Sequence, residues 1–187
     1  MADAATPEDR PEIDDESLAQ LGRDVVAAAY LTGTFVLRSG ATSNYYLDKY
    51  RLTTRPELLR RVGDALARMV PAGIDRIAGP ELGAIPLATA VSLKTGVPSV
   101  FVRKLAKGYG TDNGFEGEIK AGERVVVLED VLTTGGEAIR SATALRAFGA
   151  EVVEIIAVVD REEGAAANIA AAGFRFRTLF SKSSLGL

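Results

Sequence analysis

The sequence predicts a single α/β domain built on a doubly wound, mostly parallel sheet. Strand-like apolar segments alternate with helical segments over most of the chain after about residue 56, which is the pattern of βα units. Residues 125–128 form a continuous apolar, β-branched run, as expected for a central strand covered on both faces. A length of 187 residues suits one compact domain.

Composition narrows the chemistry that this chain can perform. Its 47% hydrophobic and 25% charged residues are ordinary for a soluble globular protein, and a net charge of -3 gives no support for nucleic-acid binding. The chain has no cysteine and no histidine, so acid–base chemistry falls to Asp, Glu, Lys or Tyr. We see no signal-peptide pattern and no run long enough to span a bilayer, and we expect a cytoplasmic protein with no membrane partner.

The N-terminal part is predicted to form a small hood, mainly residues 16–55, on the larger domain of residues 16–187. Residues 1–15 are predicted to be a disordered acidic tail. A helix then follows, and residues 35–48 form a strand, a turn and a return strand with two adjacent tyrosines at its edge. The apolar face of that helix consists of Leu18, Leu21, Val25, Val26 and Ala29.

The middle of the chain predicts two βα units and a long loop. Residues 56–70 have helical spacing with a proline in the first turn. A short strand leads through the glycine-rich turn of residues 79–83 into a helix over residues 87–94, and residues 99–102 form the next strand. Residues 103–122 are basic, polar and glycine-rich, which indicates either a mobile flap or a solvated basic loop.

The most informative stretch is residues 124–136, which predicts a buried strand, two acids and a Thr- and Gly-rich turn before a helix. Glu129 and Asp130 stand at the end of the strand, at the sheet edge where α/β proteins bind ligands. The turn at residues 133–136 offers backbone N–H groups and a helix N-terminus to an anion. Carboxylates repel phosphate, so the acids must face something else, such as ribose hydroxyls or a divalent cation. The alternative is an ordinary βα turn with a solvated acid pair.

The last third of the chain predicts one more βα unit and a closing strand. Residues 151–160 are almost wholly apolar and indicate a central strand. It ends in an Asp-Arg-Glu-Glu-Gly segment, in which Arg161 could simply form an ion pair with Glu162 or Glu163. A small alanine-rich helix and a strand over residues 174–180 follow, and residues 181–187 are predicted to be a tail.

The segment Leu128-Glu-Asp-Val-Leu-Thr-Thr-Gly-Gly136 resembles the phosphoribosyl diphosphate (PRPP) signature of type I phosphoribosyltransferases. The resemblance implies that Glu129 and Asp130 bind the ribose 2′- and 3′-hydroxyls and that residues 133–137 surround the 5′-phosphate. It also implies that residues 79–83 hold the pyrophosphate. The PRPP-binding residues implied in this segment are Glu129, Asp130, Val131, Leu132, Thr133, Thr134, Gly135, Gly136 and Glu137.

Three further segments are similar to orotate phosphoribosyltransferases. They are Leu37-Arg-Ser-Gly with Ser43-Asn-Tyr-Tyr-Leu-Asp48, the Arg-Lys-x-x-Lys of the basic loop, and Asp-Arg-x-x-Gly after the strand of residues 151–160. The orotate-binding residues that this resemblance implies are Arg38, Tyr46, Leu47, Thr133 and Arg161. Arg38 replaces the lysine common in the family, and a guanidinium can still pair with the orotate carboxylate.

The basic loop is implied to act on the diphosphate, with part of it reaching the neighbouring subunit of a homodimer. Arg103, Lys104 and Lys107 would contact the diphosphate, and Tyr109 stands where the family has histidine. Catalysis would rest on Lys107, Arg103 and Asp130. Mg²⁺ is the implied cofactor, bridging substrate oxygens, and we assign it no protein ligand.

We therefore expect transfer of the phosphoribosyl group from PRPP to orotate, giving orotidine 5′-monophosphate and pyrophosphate in pyrimidine biosynthesis. Two alternatives stay open from the sequence. One is a phosphoribosyltransferase for a purine or for uracil, and the other is a non-catalytic protein that senses PRPP. The pairing of Arg38 with Arg161 favours a carboxylated base, and the lysines of the basic loop favour catalysis.

Overall fold

The computed structural model describes residues 14–36, 40, 42–104 and 114–187. Residues 1–13 of the predicted acidic tail, Arg38, and the loop residues Lys107 and Tyr109 lie outside these ranges. The last two residues of that predicted tail, Asp14 and Asp15, are instead the N-cap and the first residue of a helix. In chain order the elements are α1 (Asp15–Ala29), β1 (Tyr30–Val36), β2 (Thr42–Leu47), α2 (Lys49–Thr53), α3 (Pro56–Met69), β3 (Arg76–Pro80), α4 (Ile85–Thr95), β4 (Ser99–Val102), β5 (Phe115–Glu116), β6 (Arg124–Leu132), α5 (Gly136–Phe148), β7 (Glu151–Asp160), α6 (Ala165–Ala171) and β8 (Phe176–Ser181).

The main sheet has six strands in the order β5-β4-β3-β6-β7-β8. All neighbouring pairs are parallel except β4 and β5, where the two-residue β5 forms an antiparallel edge. β6 and β7 occupy interior positions, which agrees with their nearly continuous apolar sequences. The predicted α/β fold with a parallel sheet is confirmed.

Two hydrophobic cores lie on the two faces of the sheet, as doubly wound topology requires. Successive residues of β6 alternate between them: Val126 and Leu128 belong to one core, and Val125 and Val127 to the other. Helices α1, α3 and α4 cover the first core, and α5 and α6 cover the second. The helix that follows β3 and the helix that follows β6 therefore lie on opposite faces.

The hood consists of α1, α2 and the antiparallel hairpin of β1 and β2. Asp14 caps α1 by accepting a 2.8 Å hydrogen bond from the backbone N–H of Ser17. The first strand begins at Tyr30, directly after α1 and earlier than the strand start at residue 35 that the sequence predicts. The short helix α2 was not predicted, and it places Leu52 and Thr53 in the interior.

The C-terminal residues, predicted as a tail, fold back onto the domain. Glu162 accepts hydrogen bonds of 2.8 Å from both the backbone N–H and the hydroxyl of Ser183. Leu185 and Leu187 pack against the first core. Over the part of the chain that the structure describes, no helix is long and apolar enough to cross a membrane.

Candidate active site

The candidate site lies where the carboxyl ends of β3 and β6 meet. These strands are neighbours in the sheet, but the chain leaves them toward opposite faces, into α4 and α5. Divergence of this kind opens a crevice at the sheet edge, which is the standard binding position in open α/β folds. The predicted acid pair and glycine-rich turn belong to β6 and its exit, so the fold brings them to this crevice.

Glu129 is buried with an unsatisfied oxygen. The residue is only 6% exposed, and its Oε1 atom has no hydrogen-bond partner among the described residues. Burial raises the pKa of Glu129 to about 8, and the charge of Asp130 contributes to the rise. At neutral pH the carboxyl is therefore mostly protonated before a ligand binds. A buried polar oxygen without a partner is uncommon in folded proteins, and a ligand hydroxyl would satisfy it.

Asp130 is also buried, and it is held by a cation from the hood. Nζ of Lys49 lies 2.9 Å from Oδ2 and donates a 3.3 Å hydrogen bond to Oδ1. The backbone N–H of Val131 donates to Oδ1 at 2.6 Å. Burial pulls the pKa of Lys49 down, but the charge and hydrogen bond of Asp130 outweigh it and the pKa rises above its usual value. Lys49 is therefore an ammonium ion, and it lies next to Asp130 in the crevice.

The turn after β3 lies directly against Asp130. A Cβ at Gly83 would overlap Oδ2 of Asp130 and would lie 3.2 Å from Nζ of Lys49. The turn is fixed to the next strand by the backbone N–H of Glu81, which donates to Val102, and by its carboxylate, which accepts a 2.7 Å hydrogen bond from the backbone N–H of Lys104. The acid pair and the predicted pyrophosphate turn therefore form one packed unit.

The turn between β6 and α5 has the geometry of an anion site. Thr133 and Thr134 are exposed, and Gly135 adopts the left-handed conformation with φ of 79° immediately before the first helical residue. A Cβ at Gly135 would approach Ile169 to 3.2 Å, so glycine is also required by packing. The side-chain amide of Asn168 donates a 2.9 Å hydrogen bond to the carbonyl of Thr134. A helix N-terminus that follows exposed hydroxyls in this way is typical of an anion-binding turn.

The start of the basic loop borders the same region. Arg103 is ion-paired with Glu116 at 3.3 Å, and its buried Nε has no hydrogen-bond partner within the described ranges. A cavity of about 410 Å³ lies between Arg103, Lys104, Glu81 and the length of α5 from residue 137 to residue 147. Glu137, at the beginning of that helix, is ion-paired with Arg140. Arg103 and Lys104 therefore lie beside the turn after β3 and against α5.

Arg161 lies on the other side of the crevice, beyond β7. Its Nη2 forms a 2.6 Å ion pair with Glu163 and donates a 3.2 Å hydrogen bond to the hydroxyl of Tyr45. The guanidinium is 5.5 Å from the centre of the Tyr45 ring, and Nζ of Lys182 is 5.8 Å from the same centre. Two cationic side chains thus lie within reach of one aromatic ring.

The structure separates the two tyrosines of the hairpin. Tyr45 stacks on Tyr30 at 5.4 Å and contacts Arg161, whereas Tyr46 packs against Phe35 at 5.6 Å. Neighbouring strand residues point to opposite faces, so the pair cannot face one pocket together. Leu47 is 8% exposed and belongs to the first core. The roles of Tyr46 and Leu47 in base binding stay predictions.

Three side chains near the candidate site were not assigned to it from the sequence: Lys49, Tyr45 and Lys182. The strand alternation of residues 45 and 46 was the available signal for Tyr45. No local pattern points to Lys49, because its partner Asp130 is 81 residues further along the chain.

Comparison with known proteins agrees with this geometry. The family model for the phosphoribosyl transferase domain matches residues 51–174. The chain is 48% identical over 162 residues to the orotate phosphoribosyltransferase of Thermococcus gammatolerans, covering 85% of this chain and 86% of that protein.

Solved structures agree as well. The orotate phosphoribosyltransferase of Mycobacterium tuberculosis in complex with Fe(III) dicitrate superposes with a TM-score of 0.82 at 35% identity, covering 91% of this chain and 99% of that one. The same enzyme in complex with PRPP gives a TM-score of 0.77 at 34% identity, with coverage of 91% and 99%. This chain belongs to the orotate phosphoribosyltransferase family.

Proposed function

We propose that this protein transfers the 5-phosphoribosyl group of PRPP to N1 of orotate, releasing pyrophosphate. The observation that supports this most strongly is the buried acid pair at the end of β6, followed at once by a glycine-rich turn at the N-terminus of α5. A sugar phosphate has hydroxyls that can bind to the acid pair and an anionic group that can bind to the glycine-rich turn. The curated relative and the solved structures above carry the same enzyme name.

In this proposal the ribose binds to Glu129 and Asp130. Protonated Glu129 can both donate a hydrogen bond to a ribose hydroxyl and accept one from it, whereas Asp130 accepts hydrogen bonds. The 5′-phosphate then fits the turn of residues 133–137, where exposed threonine hydroxyls and helix N–H groups supply donors. Val131 and Leu132 connect the two groups through the backbone. The sugar is thereby fixed at both ends, which holds its anomeric carbon in place for attack.

The diphosphate would lie between the turn after β3 and the basic loop. Arg103 and Lys104 are at the correct edge, and the roles of Lys107 and Tyr109 are carried over from the family resemblance. As the bond from the anomeric carbon to the diphosphate breaks, negative charge grows on the leaving group, and positioned cations stabilise it. The nucleophile can arrive as a pyrimidine anion, so the absence of histidine does not prevent the reaction.

The base would lie between the hairpin and Arg161. Arg161, Tyr45 and Lys182 support a carboxylated base over adenine or uracil, because an uncharged base has no group for two cations. Thr133, exposed at the crevice, is proposed to contact the base as well as the phosphate. Arg38, which the family resemblance places on the orotate carboxylate, is part of the same proposal.

Mg²⁺ is proposed as a cofactor that arrives with the substrate. Over the described residues there is no group of three acidic, histidine or cysteine side chains that would hold a metal ion alone. Two buried carboxylates and an unpartnered Oε1 on Glu129 nevertheless provide oxygen donors beside the ribose position. Glu129 and Asp130 would hold such an ion only together with the substrate, and the ion would supply positive charge that neutralises the leaving group.

The direct experiment is to incubate the protein with PRPP and Mg²⁺ and one base at a time: orotate, uracil, adenine or hypoxanthine. Loss of orotate absorbance with formation of orotidine 5′-monophosphate is expected, and the other bases should give no nucleotide. Omitting Mg²⁺ tests the cofactor. Turnover of a different base, with orotate inert, would refute the assignment.

A homodimer is proposed because the basic loop resembles loops that serve a neighbouring subunit. Mixing Lys107→Ala protein with Arg161→Ala protein tests this, since subunit exchange would rebuild one site with both residues intact. Activity recovered on mixing, together with a dimer mass by light scattering, is the expected result. A monomer mass, or no recovery after subunit exchange has been verified, would refute a shared loop.

A further inference from the structure

The contact between the hood and the acid pair has no role in the reaction as described above. Lys49 is the first residue of α2, and its backbone is anchored by Asp48, whose N–H donates a 2.8 Å hydrogen bond to the carbonyl of Ala29. Asp48 also caps α2 by accepting from the N–H of Tyr50 at 3.1 Å. Leu52 and Thr53 hold the helix in the interior. The starting point of the Lys49 side chain is therefore fixed.

The ammonium group bridges two parts of the crevice. It lies within 3.3 Å of both oxygens of Asp130 and beside Gly83 in the turn after β3. Asp130 is 1% exposed, and it also accepts a hydrogen bond from the N–H of Val131. A buried carboxylate that loses its cation is strongly disfavoured, because an uncompensated charge is left in the interior. The orientation of Asp130 thus depends on Lys49.

We propose that Lys49 is a positioning residue that acts through Asp130 to fix the carboxylate for the ribose hydroxyls of PRPP. The inference rests on the proposed function, since it concerns the same sugar site. Lys49 also offsets the negative charge of the acid pair where a polyanionic substrate must enter. Without it, the acid pair would present buried negative charge to PRPP, and Asp130 would lose the contact that aims it.

The test separates the sugar site from the diphosphate site by using two ligands that each fill one of them. Ribose 5-phosphate reports on the acid pair, and pyrophosphate reports on the loops, both measured by calorimetry on the full-length protein. Lys49→Met keeps most of the side-chain length and removes the charge. We expect ribose 5-phosphate to bind at least about tenfold more weakly and pyrophosphate to change by less than about twofold.

Three further variants make the result specific. Lys49→Arg keeps the charge and should recover most of the affinity. Lys94→Met removes a cation from the exposed Lys94–Asp64 pair, which has the same 2.9 Å distance, and should bind both ligands like the unmodified protein. In an Asp130→Asn background, Lys49→Met should cause no further loss, because the residue on which Lys49 acts is already neutral.

Several outcomes would overturn the proposal. Unchanged ribose 5-phosphate binding in Lys49→Met would do so, as would a loss confined to pyrophosphate, which would place Lys49 on the leaving group. Equal losses of both ligands would indicate a general charge effect, and full additivity with Asp130→Asn would exclude action through Asp130. If Lys49→Met does not fold by circular dichroism, the comparison of Lys49→Arg with Lys49→Gln decides the question. Failure of the proposed function is distinguishable, because it would show in the base panel as no orotidine 5′-monophosphate formed by the unmodified protein, whereas failure of this inference would show in the calorimetry of the Lys49 variants.

Discussion

Replacing Glu129 by glutamine should change how the stability of this protein depends on pH. The carboxyl has a pKa of about 8 in the folded chain, raised first by burial and then by the charge of Asp130, against an ordinary value of 4.5. Between these values the unfolded chain has lost the proton and the folded chain still holds it. Raising the pH through this window therefore favours the unfolded state, and the folded state loses stability.

The size of the effect follows from the two pKa values. The full difference corresponds to at most about 5 kcal/mol, and it is complete only above the folded pKa. Between pH 5 and pH 8 the unmodified protein should lose about 3 kcal/mol more unfolding free energy than Glu129→Gln, which cannot ionise. Coupling to Asp130 means that the observed titration belongs to the pair.

The assay is urea unfolding followed by circular dichroism at half-unit steps from pH 5 to pH 8. Glu118→Gln, at an exposed position, serves as the matched control and should follow the unmodified protein at every pH. The difference between the unmodified protein and Glu129→Gln should grow steadily in one direction. If the two stability curves instead run parallel, Glu129 is ionised in the folded state and the reasoning from its burial is wrong.

Three substitutions test the rest of the site in steady-state kinetics. Lys107→Ala should lower kcat by a factor that corresponds to a loss of about 3 kcal/mol of transition-state stabilisation, and this loss should be far larger than the loss of PRPP binding. Unchanged turnover would show that the basic loop has no part in the mechanism. Gly83→Ala should raise the KM for PRPP at least about tenfold, because its Cβ would overlap Asp130, and an unaltered KM would show that the turn relaxes freely. Arg161→Ala should raise the KM for orotate by a factor that corresponds to about 2 kcal/mol or more, and the KM for PRPP should stay within about twofold. Equal increases in both KM values would show that Arg161 does not bind the base specifically.

The fold was predictable because its signals are local. Four consecutive apolar residues, 125–128, predict a buried strand, and β6, which contains them, is an interior strand of the sheet. Pro56 opens α3 as predicted. The start of β1 was missed because α1 passes into the strand without a turn residue, so no glycine or proline marks the boundary. The C-terminal segment was missed because Glu162, far from it in sequence, fixes it.

The site was predictable to the extent that its residues are contiguous. The acid pair and the turn of residues 133–136 occupy one short segment, so the sequence alone placed them together. The contact of Lys49 with Asp130 depends on how the hood packs onto the sheet, and no spacing rule describes that. The partner of Arg161 illustrates an intermediate case: both Glu162 and Glu163 were open, and the structure selects Glu163, while Glu162 turns to Ser183.

The charge distribution explains how a chain with carboxylates in its crevice can accept a polyanion. Glu129 is mostly protonated at neutral pH because of its burial, and Asp130 is paired with Lys49, so the acid pair presents little net negative charge before the sugar arrives. Arg103 and Lys104 follow β4 and lie beside the turn after β3, where the proposed function places the diphosphate. In the proposed reaction, the acid pair would serve as hydrogen-bonding groups for the ribose hydroxyls, and the cations would act on the phosphates. On this view, any change that ionises Glu129 in the empty site should weaken PRPP binding, even when the geometry of the site is unchanged.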